Sequence, residues 1–290
     1  MTRILLTGKT GHVGYELERS LQGLGEIIAL DRSQMDLANL AQVRNVIRQI
    51  KPNLIINPAA YTAVDKAESE PGLAMRINGE APGVMAEEAK KLGAAMIHYS
   101  TDYVFDGTKT TPYLETDPTC PINVYGATKL AGEQAIQAAG IPHLILRTSW
   151  VYGMRGNNFL HTILRLAQER EELRIVADQH GAPTWCRTIA DITAHIVALA
   201  KGAQDAREWW QQRSGIYNLT AQGQTTWFGF TQAILTHPSI AKKPTVTPIK
   251  AEDYPLPAHR PKNSLLSGNL LAQKFNIILN GWEQALNECF

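Results

Sequence analysis

A doubly wound α/β fold, with a parallel sheet covered by helices on both faces, is predicted by three features of the sequence. Short apolar runs recur through the first half: Ile4 to Thr7, Ile27 to Leu30, Leu54 to Asn57, Ala95 to Tyr99 and Leu144 to Arg147. Amphipathic stretches such as Leu40 to Ile50 and Ala81 to Leu92 lie between them. A glycine-rich turn, Gly8 to Gly14, joins the first run to a helical stretch, Tyr15 to Leu21. Buried strands that alternate with helices need crossover connections, which leave the strands parallel and the helices on the faces.

Beyond about residue 150 the alternation loosens. Asn158 to Glu169 and Ile189 to Ala200 read as helices, Ile216 to Leu219 and Thr245 to Ile249 as strands. Prolines crowd the stretch from Pro238 to Pro261, as in loops over a surface or cleft. The expected division is a first unit over residues 1–150 and a smaller C-terminal lobe over 151–290. Elements from about 187 to 220 are free to return to the main sheet.

A chain of 290 residues holds one large domain or two smaller ones. Its 44% hydrophobic and 19% charged residues are those of an ordinary soluble protein. A formal net charge of +1 makes no electrostatic case for nucleic acid or an anionic membrane as partner. Cys120, Cys186 and Cys289 stand far apart, without the spacing of a disulfide framework or a zinc site, which fits a reducing compartment. The apolar run Ile4-Leu5-Leu6 is too short for a signal peptide core or a membrane span, so a cytoplasmic location is expected.

The turn Gly8-Lys9-Thr10-Gly11-His12-Val13-Gly14 has the spacing G-x-x-G-x-x-G between a strand and a helix. Glycines there permit a tight turn and let a pyrophosphate approach backbone N–H groups at a helix N-terminus. This makes the sheet Rossmann-type and residues 1–150 an NAD(P)-binding unit. Asp31 ends the second strand about twenty residues on, where an acid bonds adenosine ribose hydroxyls. Arg32 follows and can pair with a 2′-phosphate instead, so NADH and NADPH both stay open. Asp36 and Leu37 can flank the adenine, and Asp36 reads equally well as a helix N-cap. After the third strand, Ala59 and Ala60 leave room for a flat ligand or for tight strand–helix packing.

The fourth strand turns polar at its end, in Ser100-Thr101-Asp102-Tyr103. Ligands of open α/β sheets sit outside the carboxyl ends of the strands, so a hydroxyl at Ser100 or Thr101 is placed to bond a substrate oxygen. Tyr125 and Lys129 follow, four residues apart and so on one face of a helix. A phenol of pKa about 10 is a poor proton donor at neutral pH, and a nearby ammonium lowers that value. Tyr125 is thereby a candidate general acid.

Together these segments resemble the extended short-chain dehydrogenase/reductases, in the branch that works on nucleotide sugars. Ala60-Tyr61-Thr62-Ala63-Val64-Asp65, Arg147-Thr148-Ser149-Trp150-Val151-Tyr152, Gly156 to Phe159, Gln179 to Thr184 and Arg260-Pro261-x-x-Ser264 carry the resemblance further. It implies hydride transfer from NADPH or NADH to the C4 ketone of a dTDP-linked 4-keto-6-deoxyhexose, giving dTDP-L-rhamnose. By the same resemblance Tyr125 donates the proton, Thr101 bonds the same oxygen, and Lys129 lowers the Tyr125 pKa and bonds the nicotinamide ribose. The backbone at Gly11, His12 and Val13 takes the pyrophosphate, and Ala60 and Thr62 lie near the nicotinamide. Val64, Asp102 and Trp150 correspond to substrate positions, and Arg260 is a candidate for the diphosphate.

Some members bind Mg²⁺ at acidic residues associated with dimer formation. Glu16 matches one of these, but Arg187 stands where a second acid belongs, and a cation there opposes a metal. No metal is expected, and a homodimer, if formed, is not metal-mediated. A dehydratase needs a second acid after Thr101-Asp102, where this chain has Tyr103. An epimerase, and a non-catalytic subunit like that of methionine adenosyltransferase, remain the alternatives.

Overall fold

The computed structural model describes residues 2–290; Met1, the first residue of the expected 1–150 unit, lies outside the described residues. Six strands, β1 (Arg3–Leu6), β2 (Glu26–Ala29), β3 (Leu54–Asn57), β4 (Ala95–Thr101), β5 (His143–Thr148) and β6 (Gly215–Asn218), form one parallel sheet. Their order is β6-β5-β4-β3-β1-β2. The winding therefore reverses between β1 and β3, and such a reversal opens a crevice beyond the carboxyl ends of the strands.

Side chains alternate along these strands, so each strand feeds two cores. Ile4, Leu6, Ile56, Ile97 and Leu146 face one side, with Leu17 of the helix His12–Ser20 and Ile189, Ile196 and Val197 of the helix Cys186–Gly202. Leu5, Ile55, Met96 and Ile145 face the other, against Val43 and Ile47 of Leu40–Ile50 and Val84, Met85 and Ala89 of Ala81–Leu92. These last two helices have the bounds expected from their apolar spacing. The first is capped by Asn39, whose side chain accepts from Gln42 N at 3.0 Å. The second stops at Gly93, which takes a left-handed φ of +65°.

Beyond β5 the chain builds a separate core from Tyr152, Leu160, Ile163, Phe230, Ile234, Trp282 and Leu286. Its strands are short pairs: Glu172–Val176 with Thr245–Ile249, His180–Gly181 with Thr225–Thr226, and Val151–Tyr152 with Thr184–Trp185. Between these, Gly215–Asn218 returns to the main sheet beside β5, with Ile216 opposite Ile145. Several short helices, among them Val64–Ser69, Ala206–Gln212 and Trp282–Cys289, carry too few apolar residues in period to stand out in the sequence. Among the described residues, no helix is long and apolar enough to cross a membrane. Cys120, Cys186 and Cys289 are free, the last two buried.

Candidate active site

The glycine loop is closed by contacts that only glycine allows. Gly8 has φ +60°, and a Cβ there would lie 2.9 Å from the Cβ of Ala59. A Cβ on Gly14 would lie 2.1 Å from the Gly8 carbonyl oxygen. The helix His12–Ser20 starts at Gly11 with no side-chain cap and no acid in its first turn. Its leading N–H groups and dipole thus offer an anion site.

Gly8, Gly11, His12, Val13, Gly14, Ala59, Ala60, Thr62, Tyr125 and Lys129 line one cleft of about 550 Å³. Ser100 and Thr148 line it too, and Ser100 Oγ and Thr148 Oγ1 are buried without hydrogen-bond partners. Buried hydroxyls left unsatisfied by the protein are costly unless a ligand pairs them. The residues therefore fit a dinucleotide: phosphates at the loop, a flat ring against Ala59 and Ala60, and polar partners for its amide and ribose.

Asp31, Arg32, Asp36 and Leu37 follow β2 as a separate rim. Asp31 Oδ1 accepts from Ser33 N at 2.9 Å and Ser33 Oγ at 2.6 Å, which holds its carboxyl below the usual range, and Oδ2 lies 3.6 Å from Lys9 Nζ. Arg32 is exposed and pairs with Asp36 at 3.5 Å. Asp36 is not the N-cap: its Oδ1 accepts from Ala38 N in a local turn, and Asn39 caps the helix three residues on. The Leu37 side chain is buried in the core with Val43 and Ile47 rather than standing on this rim.

The far wall of the cleft is fixed by Asn78, in a π-helical turn, Arg76–Glu80. Its Oδ1 accepts from Tyr61 N at 2.8 Å, and its Nδ2 donates to Tyr61 O at 3.0 Å and Thr128 Oγ1 at 3.2 Å. One amide thus ties the Ala60–Thr62 backbone to the helix that carries Tyr125.

That helix, Val124–Ala139, is capped by Asn123, whose side chain accepts from Gly126 N at 2.7 Å. A Cβ on Gly126 would lie 2.1 Å from Tyr103 O, so glycine lets the helix press against the turn after β4. Thr101 Oγ1 donates to Asp102 Oδ1 at 3.0 Å and accepts from Tyr103 N at 3.1 Å. Lys129 Nζ donates to Tyr99 O at 2.6 Å and lies 3.2 Å from His98 Nε2.

The expectation that Lys129 lowers the Tyr125 pKa does not hold in this structure. Burial pushes the phenol up, Asp102 adds to the rise, and a hydrogen bond with Thr101 opposes it. The Lys129 amino group donates to Tyr99 O instead and lies against His98 Nε2, and burial brings Lys129 down to about 8, against the pull of Glu133. Asp102 is raised to about 7 by burial, opposed by Ser264 and Thr101, while its Oδ2 has no hydrogen-bond partner.

Trp150 holds φ +48°, a conformation that costs a bulky residue energy and persists only when its surroundings demand it. Its ring stacks on Trp227 at 3.6 Å between centroids, and Gly181 leaves room for it. Val64 starts the helix Val64–Ser69. The next residue, Asp65, takes Arg260 in a two-pronged pair, at 2.9 Å to Nη1 and 2.8 Å to Nη2. Arg260 also borders a second cavity of about 970 Å³, with Lys109, His180, His259 and Lys262.

Arg187 pairs along its own helix with Asp191 at 3.7 Å. Among the described residues, no three His, Cys, Asp or Glu side chains gather as a metal site.

Sequence reasoning missed Asn78, His98 and Arg155. Arg155 lines the cleft, with its guanidinium 3.5 Å over the Tyr15 ring. The only trace of it in the sequence is a basic residue in a glycine-flanked turn after an aromatic strand.

The family model described as the RmlD substrate binding domain matches residues 1–290. A curated dTDP-4-dehydrorhamnose reductase of Burkholderia thailandensis is 49% identical, over 99% of this chain and 97% of its own length. The enzyme of the same name from Escherichia coli K12 is 46% identical, over 99% and 98%. The crystal structure of the Bacillus anthracis dTDP-4-dehydrorhamnose reductase in complex with NADP has a TM-score of 0.91 at 35% identity, covering 100% of this chain and 99% of that one. A UDP-glucose 4-epimerase of Thermus thermophilus, in complex with NAD, shares the fold at 21% identity and a TM-score of 0.79.

Proposed function

Since the chain belongs to the RmlD substrate binding domain family, we propose that its cleft performs the reaction for which its curated relatives are named. The protein is an oxidoreductase that reduces the C4 ketone of dTDP-4-dehydro-L-rhamnose to dTDP-L-rhamnose with NADPH or NADH. Rhamnose made this way serves cell-surface polysaccharide, in keeping with a relative from Bacillus subtilis named for spore coat polysaccharide biosynthesis, 36% identical. The observation that carries the reading is identity of 46–49% over 99% of the chain, together with the presence of Tyr125, Lys129 and Thr101.

The residues divide the work as follows. The loop from Gly8 to Gly14 would hold the pyrophosphate, Ala59, Ala60 and Thr62 the nicotinamide end, and Lys129 its ribose. Bound there, the reduced nicotinamide supplies a hydride. As negative charge gathers on the substrate's C4 oxygen, Tyr125 Oη gives it a proton and Thr101 Oγ1 turns its hydrogen from Asp102 Oδ1 to donate to the same oxygen. Donors fixed around one oxygen are typically worth a few kcal/mol each. A phenol raised by burial still suits this task, because an alkoxide is a far stronger base than a phenolate.

Asp102, Val64 and Trp150 border the sugar in this reading. The cavity beside Arg260, lined by Lys109 and Lys262 as well as Asp106 and Asp178, takes the diphosphate and its nucleoside, with the Arg260 charge partly offset by Asp65. Residues 1–150, with the helices Cys186–Gly202 and Ala206–Gln212 and β6, form the nucleotide-binding unit, and most of the rest of 151–290 the substrate lobe. A second copy of the chain joins without a metal bridge, because Arg187 replaces an acid; light scattering unchanged by a chelator is the expected result.

The presence of Thr101, Tyr125 and Lys129 together favours catalysis over a purely regulatory subunit. The direct test mixes the protein with dTDP-4-dehydro-L-rhamnose and NADPH or NADH and follows loss of the reduced nicotinamide. No oxidation with either cofactor would sink the proposal.

A further inference from the structure

Behind Lys129 runs a chain of buried polar groups that the proposed reaction leaves unused. Thr7 Oγ1 donates to Asn57 Oδ1 at 2.6 Å, Asn57 Nδ2 lies 3.0 Å from His98 Nδ1, and His98 Nε2 lies 3.2 Å from Lys129 Nζ. Thr7, Asn57, His98 and Lys129 are each at most 2% exposed. They come from the ends of β1 and β3, from β4, and from the catalytic helix. Groups buried this deeply must satisfy one another.

Such a chain has a direction. As arranged, each link donates toward the lysine: hydroxyl to amide oxygen, amide N–H to Nδ1, then Nε2–H to Nζ. The last bond needs a lone pair on Nζ, and so an amine, because an ammonium only donates. With an ammonium the bonds run the other way. Nζ–H then donates to Nε2, Nδ1–H donates to the Asn57 oxygen, and the amide, turned by half a revolution, donates to Thr7 Oγ1.

We propose that His98 is a positioning residue whose tautomer is tied to the charge on Lys129, so that the Thr7–Asn57–His98 chain holds Nζ in place in both charge states. This rests on the reading of Lys129 as the residue that holds the nicotinamide ribose. In passing from ammonium to amine, one proton moves from Nζ to Nε2 and one leaves Nδ1 for water. The imidazole stays neutral throughout, and the chain as a whole loses one positive charge.

The surroundings allow this exchange. Glu133, one turn along the same helix, favours the ammonium and is itself paired with Arg147 from β5. Tyr125 lies one turn before Lys129, and Asp102, in the turn after β4, acts on Tyr125. From β4 come the Tyr99 carbonyl on Nζ and His98 itself. On His98 the one charge that acts is that of Lys129, and burial holds the ring well below its usual value. With Lys129 at about 8, the lysine changes charge while the ring does not.

The test is ¹⁵N NMR of the full chain labelled at its histidine rings, with the His98 signals identified by their loss in His98→Gln. The expected result is an Nδ1–H tautomer at low pH and an Nε2–H tautomer at high pH, with a midpoint that matches the alkaline limb of kcat. A single tautomer over the whole range overturns the proposal, and does so whether or not the protein proves to be a reductase. A second measurement uses His98→Leu, in which the alkaline limb should move by about one pH unit, a tenfold change in the charged fraction. A limb that stays in place while stability falls would mark His98 as a packing residue only.

Discussion

Glu133 and Arg147 meet side by side in the core, Nε to Oε1 at 2.9 Å and Nη2 to Oε2 at 2.7 Å, with neither more than 2% exposed. Glu133 stands one turn beyond Lys129, and Arg147 comes from β5 with its guanidinium over the Phe105 ring at 5.0 Å. Removing one member strands the other as a buried charge. Glu133→Ala should therefore lower stability by about 3–5 kcal/mol in urea unfolding. Glu133→Leu combined with Arg147→Met should cost far less, since no lone charge is left.

Tyr125→Phe removes the proton donor and little else. The kcat should fall by about 10²–10⁴, the usual contribution of general acid catalysis, with the affinity for reduced nicotinamide retained. Steady-state kinetics and fluorescence titration of the cofactor measure the two separately. A variant with full turnover would assign the proton to another group.

Asp102 makes stability depend on pH. Its folded pKa of about 7 lies above the usual 3.8, so the native state keeps a proton that the unfolded chain has lost. Stability from this residue is full below about pH 4, falls as pH rises to about 7, and is flat above that. At about 1.4 kcal/mol per pH unit the loss amounts to a few kcal/mol. Asp102→Asn should flatten the profile of urea midpoint against pH between these limits, and an unchanged slope would place the burden elsewhere.

Arg260 presents a planar fork that Asp65 already grips. A lysine cannot reproduce two parallel bonds and still offer charge to a phosphate. Arg260→Lys should raise the KM for the nucleotide sugar about tenfold, which is about 1.4 kcal/mol, and leave cofactor affinity unchanged. An unaltered KM would confine Arg260 to its contact with Asp65.

What could be read in advance follows the range of the interactions. The helices Leu40–Ile50 and Ala81–Leu92 depend on their own apolar period and on local caps, and they lie at the expected bounds. The glycine loop is legible for the same reason, since turn and helix start are neighbours in sequence. The Arg260–Asp65 pair joins residues 195 apart, and the Trp150–Trp227 stack joins two indoles with no common period. Asn78 is a further case, because a π turn gives no sign of itself in residue spacing. The direction of the Tyr125 shift is hidden for a related reason: four-residue spacing puts Lys129 close by but does not say that Tyr99 and His98 take its bonds.

The place of β6 at the edge of β5 sets a schedule for biosynthesis. When β5 leaves the ribosome, its outer N–H and C=O groups have no partner until Gly215–Asn218 follows. At the usual 5–20 residues per second, that interval is roughly 3–14 seconds. For that time the nascent chain carries an open parallel edge, the kind of surface that pairs with other strands. Release of a chain cut short near residue 150 would make the exposure permanent, so such fragments should aggregate rather than persist as a smaller nucleotide-binding protein.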